Sequence, residues 1–244
     1  MKKIPLLPDR KRPLLFAHRG CSSLAPENTM AAFKKAREIG APGIELDIHV
    51  CATGELVVAH DHSFNRTART DNKGSGREIE DLSLDEIRSI DVGGEHPPLL
   101  EEVLEEFCPG MYIDIELKSR KVFNDPLPSL AAKKIISFGK KILESVTVSS
   151  FNPFGIKTFK GFCPTVPTAI IWSAGKDIPF LLRRGFGRVI SSCDYLKPVH
   201  LQASRFRPFP RVPWTVDDPA LAKELLAMGC EGIISNRPQD MLSL

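Results

Sequence analysis

No stretch of this chain stays apolar for the roughly 20 residues that a bilayer crossing requires, so a membrane-spanning helix is not expected. A secretory leader is not expected either. Met1-Lys2-Lys3 imitates its basic first region, but Pro8, Asp9, Arg10, Lys11 and Arg12 interrupt the apolar core that must follow. The expected location is the cytoplasm. No charge of one sign dominates: Lys and Arg number 33 against 30 Asp and Glu, a net charge of +3. Nucleic-acid proteins carry a concentrated basic stripe, and Lys2-Lys3, Arg10-Lys11-Arg12 and the cations between 205 and 211 are short clusters that read as solvated surface. The six cysteines (Cys21, Cys51, Cys108, Cys163, Cys193 and Cys230) include no C-x-x-C pair. Zinc frameworks and redox motifs need such pairs, which leaves buried free thiols as the expectation.

The chain does hold polar clusters where packing alone would favour Val, Ile or Leu. They are His18-Arg19-Gly20 with Pro26-Glu27-Asn28-Thr29, Glu45-Leu46-Asp47 followed by His60-Asp61, and Glu116-Leu117-Lys118. Each sits in or directly after a strand-like apolar run. Burying bare charges costs several kcal/mol apiece unless they are paired or bind a metal. Their recurrence at strand ends therefore points to a site.

Length and composition suit one large α/β domain: 244 residues, of which 42% are hydrophobic. Strands are expected at 13–17, 43–50, 111–117, 146–149, 166–171, 188–190, 212–215 and 232–234, with helical patterns between most of them. Thr29 and Gly40 bracket one helix, and Asp217-Asp218-Pro219 opens another that stops at Gly229. Eight strands alternating with helices fit a (β/α)₈ TIM barrel. An open doubly wound sheet would carry a Gly-rich fingerprint after its first strand, and this chain has none. Residues 1–244 are expected to form one domain. Its rhythm is broken by an insertion, about 51–108, between the second and third strands. The insertion holds a strand near 55–59, a Gly-rich loop at Lys73-Gly74-Ser75-Gly76, and two short helices. One of these starts with a Ser83–Glu86 capping box.

Side chains alternate along a strand. Glu45 and Asp47 therefore share one face with His49, and Glu116 shares a face with Tyr112, Asp114 and Lys118. With Ile44, Leu46, Ile48, Ile113, Ile115 and Leu117 turned to the helices, the polar faces point into the barrel. Glu45, Asp47 and Glu116 can then converge on one cation, and an all-oxygen set selects Mg²⁺ or Ca²⁺. A structural charge network with Lys118 and Arg19 is the alternative, and the histidines weigh against it. His18 and His60 both end strands and can overhang one mouth as general acid and base, whereas His49, His62, His96 and His200 read as ordinary packing or surface. Arg19 offers a fork and Lys118 a point charge to a phosphate. Trp214 is either core packing or an apolar wall beside a substrate alcohol.

These words, with Ser150-Phe151, Trp214-Thr215-Val216 and Gly232-Ile233-Ile234, resemble the glycerophosphodiester phosphodiesterase family over nearly the whole chain. The resemblance implies a TIM barrel with an insertion after the second strand. It implies that Glu45, Asp47 and Glu116 hold the metal, that His18 and His60 act as acid and base, and that Arg19 and Lys118 contact phosphate. The chain departs from the pattern at three places. Asp217 stands where many relatives have Asn, Ser235-Asn236 replaces Thr-Asp, and Leu99 replaces Thr. The expected reaction is metal-dependent hydrolysis of a small-molecule glycerophosphodiester, such as glycerophosphocholine or glycerophosphoethanolamine, to sn-glycerol 3-phosphate and an alcohol, without nucleic acid or a stable membrane anchor. The rivals are a lysophospholipase D-like or phosphatidylinositol phospholipase C-like activity and a catalytically silent phosphodiester-binding barrel. The lipid activities would need an apolar entrance, for which Phe64, Phe206 and Phe209 are the candidates.

Overall fold

Seven parallel strands curl around a common interior in the computed structural model, which describes residues 4–69, 74–173, 175, 180–183, 185–205 and 207–244. Lys2, Lys3, Lys73 and Phe206, singled out above, lie outside the described residues. The first strand, β1 (Leu14–His18), pairs with β2 (Gly43–Val50), and a short β3 (Leu56–Val58) folds back antiparallel on β2. Next along the sheet come β4 (Tyr112–Leu117), β5 (Val146–Ser150), β6 (Thr168–Trp172) and β7 (Tyr195–Pro198). On its other edge β1 pairs with β8 (Gly232–Ser235).

The segment expected as a strand over 212–215 closes the ring between β7 and β8, but irregularly. The Val212 and Trp214 N–H groups donate to Leu196 O (2.9 Å) and Pro198 O (3.0 Å) on one side. On the other, the Ile234 N–H donates to Pro213 O (3.0 Å) and the Val216 N–H to Ile234 O (2.9 Å). Pro208, Pro210 and Pro213 have no N–H to give a ladder, so the pairing is interrupted while the barrel still closes. The fold is an α/β TIM barrel.

Helices cover the outside. The first, α1 (Met30–Glu38), starts as its sequence suggests, with the Thr29 hydroxyl accepting the Ala32 N–H at 3.2 Å. Between β3 and β4 lie α2 (Leu84–Arg88), entered through the Ser83–Glu86 capping box, and α3 (Leu100–Phe107). They pack with β3 around a small core of their own that includes Phe64, Leu82 and Leu99. Then follow α4 (Leu127–Ser137), α5 (Lys140–Leu143), α6 (Pro153–Phe162), α7 (Phe180–Arg183), α8 (Gly187–Ser191) and α9 (Pro219–Ala227).

One element differs from expectation. Residues 188–190 belong to α8, with Val189 exposed, and the strand is Tyr195–Pro198 instead. A three-residue apolar run carries no usable periodicity. The real strand was disguised by a buried lysine, Lys197, and a closing proline.

Apolar side chains of β2 and β4 (Ile44, Leu46, Ile48, Ile113, Ile115 and Leu117) face the helices in the main core. Inside the barrel, Leu14, Phe16, Tyr112, Tyr195, Val212 and Ile234 plug the end where the strands begin. Tyr112 reaches across this plug, its hydroxyl bonded to the Leu15 N–H (2.8 Å) and O (3.1 Å). Gly43 makes room for it, since a Cβ there would sit 2.0 Å from the tyrosine ring. Nearer the strand ends the interior turns polar. Glu45 lies in register with Asp114, Asp47 with Glu116, and His18 with Glu45.

Candidate active site at the barrel mouth

The β2–β4 register carries the acids together. One oxygen from each of Glu45, Asp47 and Glu116 lies within 4.8 Å of the others, and all three residues are buried. Lys118 ties two of them, with Nζ 3.2 Å from Asp47 Oδ1 and 2.9 Å from Glu116 Oε1. Below them Lys197, also buried, holds Asp114 Oδ2 at 2.7 Å, Ser149 Oγ at 2.9 Å and Glu45 Oε1 at 3.8 Å.

Arg19 follows β1 in a left-handed conformation (φ 55°), as does Asn28 (φ 55°). Such backbone is costly for a side-chain-bearing residue, and here it serves contacts to the acids. The Arg19 N–H donates to Glu45 Oε2 at 3.0 Å, and the Asn28 amide donates to Asp47 Oδ2 at 2.9 Å. The Arg19 guanidinium pairs with Glu27 at 2.9 Å and approaches Asp47 at 3.6 Å. Among the described residues its Nε is buried without a hydrogen-bond partner.

The histidines flank this cluster. His18 Nε2 stands 3.9 Å from Glu45 Oε2, while Nδ1 contacts Asn236 Oδ1 at 2.6 Å. His60 follows β3, and its Nδ1 contacts Asp61 Oδ1 at 2.6 Å. Asp61 is braced by Arg66 Nε at 2.7 Å, and Arg66 also grips Glu27 at 2.7 and 2.9 Å. Glu27 thereby links Arg19 to the support of His60.

The electrostatics follow from burial and neighbours. Burial alone would raise the Asp47 carboxyl, but Lys118, His60, Arg19 and the Asn28 amide hold it well below the usual range. Glu45 is pushed well above its ordinary value by burial and by Asp47, Glu116 and Asp114, which outweigh Lys197. His18 is lowered by burial and Arg19. Burial would lower Lys118, yet Asp47 and Glu116 hold its ammonium up. Four buried carboxyl groups thus crowd around three cations, one of which, Arg19, is shared with Glu27. An all-oxygen donor set, with a glutamate pushed upward by like charges, fits a hard divalent cation.

Sequence reasoning brought eight residues forward, and seven of them line this mouth. The eighth, Trp214, donates its indole N–H to Lys197 O (2.9 Å) and stands edge-on to Phe151 at 5.8 Å, half-buried at the rim. His49 shares the polar face of β2 but packs edge-on against His62 (4.9 Å), and its Nε2–H donates to the His60 backbone carbonyl at 3.3 Å. Burial and His62 lower it to about 4. Asn28, Lys197, Ser149, Asp217 and Asn236 were not identified as site residues from the sequence. A lone cation inside an apolar run was the available signal for Lys197, but only once Tyr195–Pro198 is read as a strand. Phe64 is buried in the core of the insertion and Phe209 is half-buried against the main core, so neither forms an apolar entrance.

Beside Lys118 opens a cavity of about 480 Å³ between the insertion and the loop after β4, lined by His49, His62, Glu78, Arg120 and Asp125 among others. The ion pairs Arg120–Glu78 (2.7 Å) and Lys121–Glu80 (3.1 Å) strap its two walls together.

Known proteins resemble this chain in sequence and in fold. The chain is 31% identical over 244 residues to a glycerophosphodiester phosphodiesterase of Caldanaerobacter subterraneus subsp. tengcongensis, covering 96% of this chain and 98% of that one. It is also 31% identical to a glycerophosphodiester phosphodiesterase of Bacillus altitudinis, covering 92% and 94% of the two chains. In three dimensions it is similar to a phosphodiesterase of Oleispira antarctica solved with the product sn-glycerol-3-phosphate. That match has a TM-score of 0.77 and 23% identity, over 95% of this chain and 96% of that one. The profile of the glycerophosphoryl diester phosphodiesterase family matches residues 18–240, and the chain belongs to that family.

Proposed function

We propose that the protein hydrolyses glycerophosphodiesters such as glycerophosphocholine or glycerophosphoethanolamine to sn-glycerol 3-phosphate and an alcohol. Glu45, Asp47 and Glu116 hold one divalent cation, Mg²⁺ or Ca²⁺. The observation that carries this reading is the meeting of three buried carboxylates within 4.8 Å, flanked by two imidazoles and two cations, in a chain of this family. The cation supplies charge that offsets the carboxylates and the phosphoryl oxygens. Arg19, whose Nε makes no hydrogen bond among the described residues although Asp47 Oδ2 lies 3.6 Å away, and Lys118 bind the remaining phosphoryl oxygens. One of His18 and His60 takes the proton of the nucleophile, which is water or the glycerol 2-hydroxyl, and the other protonates the departing alkoxide. Trp214 forms an apolar wall, and the cavity beside Lys118 has room for the alcohol.

The rest of the reading is that residues 1–244 act as one barrel unit with 51–108 as its inserted cap, in the cytoplasm. Six cysteines without disulfides accord with a reducing compartment. No described helix is long and apolar enough to cross a membrane. The test is product analysis over a panel of glycerophosphodiesters and lysophosphatidylcholine, after chelation and after add-back of Mg²⁺ or Ca²⁺. Release of sn-glycerol 3-phosphate that depends on the added cation is expected. Undiminished activity after thorough chelation would falsify the metal assignment. Preference for the lipid would shift the substrate class, and binding without product would mark a silent barrel.

A further inference from the structure

Asp217 and Asn236 are far apart in sequence and touch no proposed metal ligand, yet they meet directly behind His18. The β1–β8 pairing sets Ala17 against Ser235, which brings Asn236 beside the histidine. The Asp217 carboxylate accepts three hydrogen bonds, from Ser235 Oγ (3.0 Å), the Asn236 backbone N–H (2.8 Å) and the Asn236 side-chain NH₂ (2.8 Å). A carboxylate offers no proton, so it commits the NH₂ end of the Asn236 amide to itself. The carbonyl end must then face His18, where Oδ1 lies 2.6 Å from Nδ1. A carbonyl oxygen offers no proton either, so Nδ1 of His18 must donate. Its Nε2, on the side of Glu45, is the nitrogen left to exchange a proton. The reversed amide would set N–H against Nδ1 and oxygen against carboxylate.

We propose that Asp217 and Asn236 form a positioning pair that fixes the tautomer and ring orientation of His18. Exchanging the two side chains would keep one carboxylate and one amide in contact, whereas either single exchange would leave two amides or two carboxylates facing each other. The inference rests on the assignment of His18 to proton transfer made above.

The test compares Asp217→Asn, Asn236→Asp and the double exchange with the parent protein, using the cation and glycerophosphodiester that give the highest turnover. Each single change should lower kcat by about 10²-fold, the scale expected when a reacting group is misplaced, with KM little changed. The double exchange should recover most of the loss. Singles that stay within about tenfold of the parent, or a double no faster than its slower parent, overturn the proposal. A second measurement needs none of these variants to fold. In ¹⁵N-histidine correlation spectra of the parent protein with Mg²⁺, recorded well above the ordinary imidazole pKa, the His18 signal is identified by its loss in His18→Gln. It should show the Nδ1-protonated pattern, and an Nε2-protonated ring or a mixture overturns the pair. Absent turnover with an Nδ1-protonated His18 would instead sink the proposed reaction and leave the pair standing.

Discussion

Replacing Lys197 by methionine tests how the charges beneath the candidate metal site are balanced. Lys197 is 1% exposed, and its Nζ stands 2.7 Å from Asp114, 2.9 Å from Ser149 and 3.8 Å from Glu45. Methionine nearly preserves length and volume, so the lost quantity is charge. It strands Asp114 in the barrel interior without a cation, and breaking a buried pair from one side costs about 3–5 kcal/mol. Adding Asp114→Asn removes the stranded charge as well, so the double variant should regain most of that loss. Asp114→Asn alone should cost about 1–3 kcal/mol, since Lys197 keeps Glu45 and Ser149. Urea unfolding in excess chelator, followed by circular dichroism, reads all four proteins without a cation to fill the gap. A Lys197→Met loss below about 1 kcal/mol, or a double variant whose loss equals the sum of the two singles, would refute the account of Lys197 as the counter-charge of Asp114.

His18→Ala and His60→Ala should each lower kcat by about 10²–10⁴ while leaving the circular dichroism spectrum intact; near-normal turnover in either removes that histidine from the mechanism. Gly43→Ala drives a methyl to 2.0 Å from the Tyr112 ring and should cost about 1–3 kcal/mol by overpacking, which a thermal melt will register as a lowered Tm. Leu99→Thr would give α3 the side-chain cap it lacks, worth about 1 kcal/mol. It also removes a buried side chain from the insertion's core, worth about 1.5–3 kcal/mol. A net loss in urea unfolding is therefore expected, and a gain would show that the cap outweighs the packing.

The acids were legible because alternation along a strand is a rule of geometry: once 43–50 and 111–117 are strands, Glu45, Asp47 and Glu116 must share the interior. The register that sets Asp47 against Glu116 agrees. Local chemistry also sufficed for Thr29 and for the Ser83–Glu86 capping box. Lys197 was missed because a charge and a proline in a four-residue strand look like a loop, and 188–190 took its place because Arg-Val-Ile reads equally as helix or strand. The partners behind the imidazoles were beyond reach for another reason. Asn236 meets His18 only through the closure of β1 on β8, and Glu27 meets Arg66 across 39 positions of sequence. No short-range pattern encodes such meetings.

That closure has a consequence for the order in which the molecule comes into being. A nascent chain that has emerged as far as β4 already carries all three carboxylates, yet nothing from β8 stands behind its first imidazole. The mouth is completed only when the last stave leaves the ribosome and docks beside the first. On the proposed reading, turnover must therefore await the emergence of β8 and its docking beside β1.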